Sequence, residues 1–424
     1  MQRKSKKYWN YVNILKEELV PAMGCTEPIA LAYAAAKARE VLGTLPSGCR
    51  VEVSGNIIKN VKSVIVPNTG GIKGIEAAVS AGITAGNPSG ILEVLSDIRE
   101  EDKPSIKEYQ ETHDICIIPY EGDLVFYISV TVYEGNSYAK VVIENYHTNI
   151  VSIEKDGKTL FQAEAESNTI DISDRSALNV EEIVAFADMV DLADIADMIG
   201  RQIEYNCAIA ADGMNNNWGA NIGKVLVNTY GNDVKIRAKA IAAAASDARM
   251  GGCERPVIIL SGSGNQSLAT SLPVIEYAKE LKVSQDKLFR AVALADLITI
   301  HQKTSIGRLS AFCGAVSAGC AAGAGIAYLC NGTYDAIAHT IVNALAIVSG
   351  IICDGAKSSC AAKIASAVDA GIIGFSMYQN GQEFCGGDGI ITKGVNNTIA
   401  NVGRIASKGM RETDCEIIKI MVEN

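Results

Sequence analysis

Residues 126–147 read FYISVTVYEGNSYAKVVIENYH. Apolar and polar side chains alternate on both sides of Glu134-Gly135-Asn136-Ser137. That two-residue period marks strands with one buried face, and the polar break marks their turn. The next stretch, VSIEKDGKTLFQA (151–163), repeats the device around Asp156-Gly157, a dipeptide that tight hairpin turns favour. The pattern predicts an antiparallel meander over 114–163.

Upstream, residues 9–44 read as a helical segment with an interruption. NYVNILKEEL (10–19) has apolar residues at helical spacing, Pro21, Gly24 and Pro28 punctuate it, and an Ala-rich helix follows in IALAYAAAKAREVL (29–42). Cys25 lies in the break, just before Pro28, with Thr26 or Glu27 as the expected cap. A cysteine at a helix N-terminus meets the positive end of the helix dipole, which favours a thiolate. RVEVSGNIIKNVKSVIV (50–66) reads as strands. VPNTGGIKGIEAAVSAG (66–82) reads as a Gly-rich turn entering a helix, without the Walker spacing of a phosphate loop.

Downstream the pattern changes. EAESNTIDISDRSALN (164–179) is polar and is the expected boundary. After it come Ala-rich helical stretches at 181–214 and 234–250, a short strand-like RPVIIL (255–260), helices at 273–283 and 286–303, and a Gly/Ala-rich region over 305–375. The fold class is therefore α+β: residues 1–179 form a portion with an N-terminal helix and a meander, and 180–424 form a mainly helical domain. Residues 1–45 are helical and are expected to pack on the C-terminal part.

The 424-residue chain is 48% hydrophobic and 20% charged, enough to bury a sizeable core and unlike a disordered chain. Its net charge of −10 argues against nucleic acid and against an anionic membrane surface. The basic start, MQRKSKKYWN, is not followed by the apolar run of a secretory signal, so a cytoplasmic location is expected. Phe312 to Cys330 carries no charge but is mostly Ala, Gly, Ser and Cys, which gain little from lipid. A buried helix is the expected reading.

Twelve cysteines in a long chain without a signal suggest thiols, metal ligands or core filling. Three stand out by context: Cys25 in MGCTEPIA, Cys313 in SIGRLSAFCGAVSAGC and Cys353 in SGIICDGAKSSC. Small and polar neighbours allow close backbone approach, although small residues around a small Cys are equally what packed helices need. Cys313/Cys320 and Cys353/Cys360 are seven apart, roughly 10 Å along a regular helix. One ligand from each separate segment is therefore favoured, with Cys360 as an extra.

The polar candidates are Ser263 and Asn265 in LSGSGNQSLAT, Lys303 and Arg308 in HQKTSIGRLS, Asp354 and Lys357 in CDGAKSS, and His147 in ENYHTNI. Neutral His is a good acid–base group near pH 7, and His147 follows an otherwise apolar strand. The SGSGNQ turn leaves backbone N–H groups free to hold a carboxylate.

These words together resemble the L-cysteine desulfidase family, related to the iron–sulfur L-serine dehydratases. The resemblance is carried by VPAMGCTEPIALAYAAA, HTNI, LSGSGNQSLATSLPV, SIGRLSAFCGAVSAG, CDGAKSSCAAKIASAV, GDGIITKGVNNTIANVGRI and GMRETDCEIIKIM, over nearly the whole chain. It implies an oxygen-sensitive 4Fe–4S cluster on Cys25, Cys313 and Cys353. The dehydratases carry a further Cys eleven residues past the one that Cys353 matches. Here the next is Cys360, seven on, so Cys25 or Cys360 fills that role. The implied reaction is a PLP-independent β-elimination from L-cysteine to sulfide, ammonia and pyruvate. Cys25, His147 and Lys303 are the catalytic candidates, and Ser263, Asn265, Arg308 and Lys357 hold the small amino acid. An L-serine dehydratase is the nearest alternative and a non-catalytic iron–sulfur or thiol-binding sensor the second. No nucleic acid or membrane partner is implied, and a homo-oligomer is compatible.

Overall fold

A computed structural model describes residues 3–163 and 173–423. The first half runs α1 (Lys6–Glu18), β1 (Pro21–Met23), α2 (Thr26–Leu42), β2 (Gly48–Val53), α3 (Gly55–Val61), α4 (Gly74–Ala85), α5 (Lys103–Thr112), β3 (Asp114–Pro119), β4 (Tyr127–Glu134), β5 (Ser137–Glu144), β6 (Ile150–Lys155) and β7 (Lys158–Gln162). The second half runs α6 (Val180–Met189), α7 (Ala196–Asn215), α8 (Ile222–Tyr230), α9 (Val234–Met250), β8 (Pro256–Ile258), α10 (Gly264–Leu281), α11 (Gln285–Ile306), α12 (Gly314–Leu329), α13 (Tyr334–Val348), α14 (Ser359–Gln379), α15 (Val395–Arg404) and α16 (Arg411–Glu423). The α+β class holds, with the sheet in the N-terminal half and a mostly helical C-terminal half.

Six strands form one sheet in the order β3-β2-β4-β5-β6-β7. Both expected hairpins are present: β4 pairs antiparallel with β5 around Gly135-Asn136, and β6 with β7 around Asp156-Gly157. Asp156 and Gly157 both have positive φ, as a tight hairpin turn demands.

Two expectations are corrected. The stretch 114–163 is not one antiparallel meander, because β3 runs parallel to β2, which separates it from β4. A parallel pair needs a long crossover, and α3, α4 and α5 provide it. The stretch 50–66 is not all strand. It turns helical at Gly55, where Ile57 and Val61, one helical turn apart, enter the core. Local β-branched composition suggested a strand, and burial along one helical face prevails.

The N-terminal 45 residues divide their packing. In α1, Tyr8 and Tyr11 lie against Phe186 of α6, with ring centroids 5.6 and 5.3 Å away. α2 instead packs on the sheet and on α4. Between the two helices, β1 pairs antiparallel with β8, Ala22 opposite Val257, stitching the two halves together. One continuous hydrophobic core runs from Tyr8 to Ala406. Most of the expected boundary, 164–172, lies outside the described residues. Just after it, Arg175 is paired with Glu17 and Glu18 of α1.

The uncharged stretch at Phe312–Cys330 is the buried helix α12. Of the described helices, α14 is long and apolar enough to cross a membrane by length and composition. It packs between α9, α12 and α13 and carries Lys363 and Asp369, each ion-paired.

Candidate active site

Two short backbone pairings assemble the site. The β1–β8 pair brings the start of α2 to the turn before α10, where the Thr26 hydroxyl donates to the Gly262 carbonyl at 2.9 Å. Farther along, Phe312 and Ile352 form an antiparallel bridge. The Cys313 N–H donates to Ile351 O (3.0 Å) and the Cys353 N–H to Ala311 O (2.6 Å), which sets two cysteines forty positions apart side by side. The turn after Cys353 needs a glycine: Gly355 has φ +93°, and a Cβ there would lie 2.1 Å from the Lys59 carbonyl.

Cys25 is the N-cap residue of α2, as its place before Pro28 suggested, although neither Thr26 nor Glu27 takes that role. It is not poised as a thiolate. Burial raises its pKa well above the ordinary value, and the neighbouring Glu27 carboxylate adds to the rise. The Sγ–H donates to Glu27 Oε2 at 3.1 Å. Cys360, in the first turn of α14, packs with Cys25, Val64, Met250 and Ala356. Burial raises the Cys360 and Cys313 thiols too, and Cys353 is close enough to raise both further. Cys25, Cys313, Cys353 and Cys360 thus form one neighbourhood of free thiols. Cys320, by contrast, is enclosed in the core of α12. Among the described residues no three His, Cys, Asp or Glu side chains converge as tightly as a single ion requires.

Lys303, near the end of α11, faces these thiols. Burial lowers its ammonium to about 8, against the pull of Cys353 and Cys313. Its Nζ is 3.5 Å from the Arg308 carbonyl. Lys357 is already engaged, donating to the Asp354 carbonyl (2.7 Å) and facing the Asp354 carboxylate at 2.6 Å, where Lys363 also binds. It therefore fastens the loop that carries Cys353.

His147 is buried on the β5–β6 connection, edge-on to Phe126. Its Nε2 has no hydrogen-bond partner and faces Glu27 Oε1 at 3.7 Å, too far for a hydrogen bond. Burial alone would raise Glu27, yet His147 and the Cys25 S–H hold its carboxyl well below the usual range. A Cβ on Gly262 would lie 2.8 Å from Arg308 Nη1 and 3.1 Å from His147 Cε1, so both side chains abut that turn. Arg308 stacks over Tyr146 at 4.2 Å and lies 3.8 Å from Glu18. Outside this wall opens a cleft of about 1600 Å³ lined by His147, Gly262, Arg308, Glu18, Arg175 and others, with none of the four cysteines among its described lining.

Ser263 is the N-cap residue of α10 and makes no side-chain cap bond. Asn265 follows in the first turn with a buried, unpartnered Oδ1. The structure thus gathers Cys25, Cys313, Cys353, Cys360 and Lys303 into one neighbourhood, with His147 joined to it through Glu27 and Arg308 through its carbonyl beside Lys303. Sequence reading missed Glu27, Lys59, Arg249 and Gln266. Glu27 stood inside the quoted CTE word, and a buried carboxylate next to a cysteine was a signal available there.

Buried thiols, a buried His and a buried Lys lie close together here, and sequence comparison supplies the family. Residues 90–419 match the serine dehydratase alpha chain family, and the chain belongs to that family. Relatives that match along nearly their whole length include UPF0597 proteins. The one from Desulfitobacterium hafniense is 59% identical over 100% of this chain and 98% of its own length. Those of Lachnoclostridium phytofermentans (51%, covering 98% and 100%) and Treponema denticola (45%, covering 100% of each) follow.

Proposed function

We propose that this chain is a cytoplasmic, PLP-independent lyase that eliminates the β-substituent of L-cysteine, with a 4Fe–4S cluster held by Cys25, Cys313 and Cys353 and with Cys360 alongside. The observation that carries this reading is the backbone bridge that sets Cys313 and Cys353 together beside Cys25 and Cys360. The donor set fits the cofactor in its chemistry: soft thiols brought from separate segments, none in a disulfide. Protonated thiols match a site that releases protons when metal binds. When bound, such a cluster supplies a Lewis-acidic iron for the departing group.

The chain's own groups do the rest. Ser263, Asn265, Arg308 and Lys357 bind and orient the amino acid. His147 or Lys303 takes the Cα proton. The Cα–H electron pair so released becomes the Cα–Cβ double bond of the aminoacrylate as the Cβ–S bond breaks and its electron pair leaves with hydrosulfide, and water converts that product to pyruvate and ammonia. Both candidate bases are buried side chains, Lys303 beside the thiols and His147 at the wall of the cleft. The family match favours a second reading in which L-serine is the substrate and water the leaving group.

Anaerobic reconstitution followed by sulfide and pyruvate assays on L-cysteine and L-serine tests the proposal. Cys313→Ala and Cys353→Ala are expected to abolish the cluster absorbance near ~400 nm expected of iron–sulfur proteins, while Cys320→Ala keeps its iron. Full iron content in both ligand variants, or activity that survives aeration and chelation, refutes it.

A further inference from the structure

Arg249, in the last turn of α9, is 3% exposed, and its Nε and Nη2 have no hydrogen-bond partner. A buried guanidinium left unsatisfied is costly, and proteins keep one where an anion completes it. Its position says which anion. A Cβ on Gly264 would lie 2.4 Å from Arg249 Nε and 2.8 Å from its Cζ, so the guanidinium abuts the first residue of α10. That 18-residue helix starts without a side-chain cap, so its first N–H groups and its positive dipole end are open. Two more buried acceptors in the same turn, Asn265 Oδ1 and Gln266 Oε1, also lack partners. Gln266 touches the position after Cys313, since a Cβ on Gly314 would lie 2.6 Å from its Cδ. On the other flank, the Arg249 charge reaches Cys25.

We propose that Arg249 and the open N-terminus of α10 form the seat of the substrate α-carboxylate, and that the Asn265 and Gln266 side-chain oxygens receive the α-ammonium. This deepens the elimination reading and rests on it for the identity of the amino acid. A planar guanidinium and a helix start both suit a carboxylate. The seat lies between Cys25 and the Cys313 side of α10, so a substrate held there presents its β-substituent to the thiol neighbourhood. Arg308 and Lys357 are poorer candidates for this contact, because one already faces Glu18 and the other Asp354.

The test compares wild type, Arg249→Lys and Arg249→Met as anaerobically reconstituted full-length chains. The readouts are iron per chain, calorimetric binding of pyruvate and L-serine, and KM against kcat. The seat requires that wild type binds both carboxylates and not L-serinamide. Arg249→Met then weakens binding by about 10- to 100-fold, the loss of one charge-assisted contact, with iron content unchanged and Arg249→Lys in between. Pyruvate affinity within twofold of wild type in both variants, a wild type that binds no carboxylate, or a loss of iron in both variants overturns it; the last assigns Arg249 to the cluster's charge instead. Arg249-dependent carboxylate binding without product from cysteine or serine leaves the seat standing and removes the elimination reading.

Discussion

Asp296 offers a direct test of the energetics of the helical half. Its carboxyl is fully enclosed among α7, α10 and α11. Gln202 Nε2 donates to its Oδ1 at 3.0 Å and to Ser267 Oγ at 3.0 Å, while Asp296 Oδ2 and Gln202 Oε1 have no partner. Burial raises the folded pKa to about 8 from 3.8, only partly opposed by the Gln202 hydrogen bond. The folded state therefore keeps a proton that the unfolded state has released. That contribution is fully present below 3.8 and is lost as pH rises through about 8. Each pH unit in this window is worth about 1.4 kcal/mol, so the rise from roughly pH 5.5 to 8 removes about 3 kcal/mol.

Asp296→Asn removes the titration and keeps the shape. Its amide oxygen still accepts from Gln202, and its NH2 supplies the donor that the protonated carboxyl supplies in wild type. Urea unfolding midpoints of both proteins, at matched iron content across that pH range, measure the effect. The stability difference is expected to move toward the variant by about 3 kcal/mol between the two ends. Parallel pH curves would refute a neutral buried Asp296. A variant less stable than wild type even at pH 8 would show that the network needs the carboxylate.

Other perturbations bear on packing and on the C-terminal helix. Gly371→Ala puts a Cβ 2.2 Å from Gly319 O where α14 crosses α12; overpacking of about 1–3 kcal/mol is expected, and an unchanged thermal midpoint contradicts the close crossing. Asp414→Asn strips the charge partner from Lys59, whose side chain is fully buried and 2.5 Å from Asp414 Oδ1. About 2–4 kcal/mol of local stability is expected to go. Hydrogen exchange accelerated selectively over 411–423 is the readout, and unchanged protection there refutes the clasp.

What was legible in the sequence was local. Asp156-Gly157 and Gly135-Asn136 announced their hairpins, because turn chemistry is set by adjacent residues. The Cys313 and Cys353 words were legible for the same reason. The pairing between them was not, since a bridge of one residue on each strand, Phe312 with Ile352, has no periodicity to detect. Nor did the sequence disclose that three-residue β1 and β8 pair, which is what brings Cys25 to Gly262. Lys59 was hidden by the strand reading of 50–66. Arg249 looked like an ordinary C-terminal helix cation, favourable to the dipole, and only its burial and missing partners distinguish it.

The failed thiolate expectation at Cys25 says most about how the site works. A helix dipole contributes about 0.3–1 kcal/mol at an end, up to ~2 in a partly buried setting. Full burial shifts a thiol by several pK units, each about 1.4 kcal/mol. Burial therefore outweighs the dipole, and Glu27 accepting the S–H at 3.1 Å adds to the margin. Cys313, also an N-cap residue, goes the same way. In this fold the N-terminal position orients the cysteine without ionising it. Ionisation needs a cation in direct contact with sulfur, because only a charge at bonding distance repays the desolvation of a buried thiolate. The buried cations nearby, Lys303 and Arg249, lie alongside the thiols and do not lower Cys25 or Cys313 below the ordinary thiol range. The Arg249 charge is left for a different anion, and an amino-acid carboxylate has the size and sign to take it.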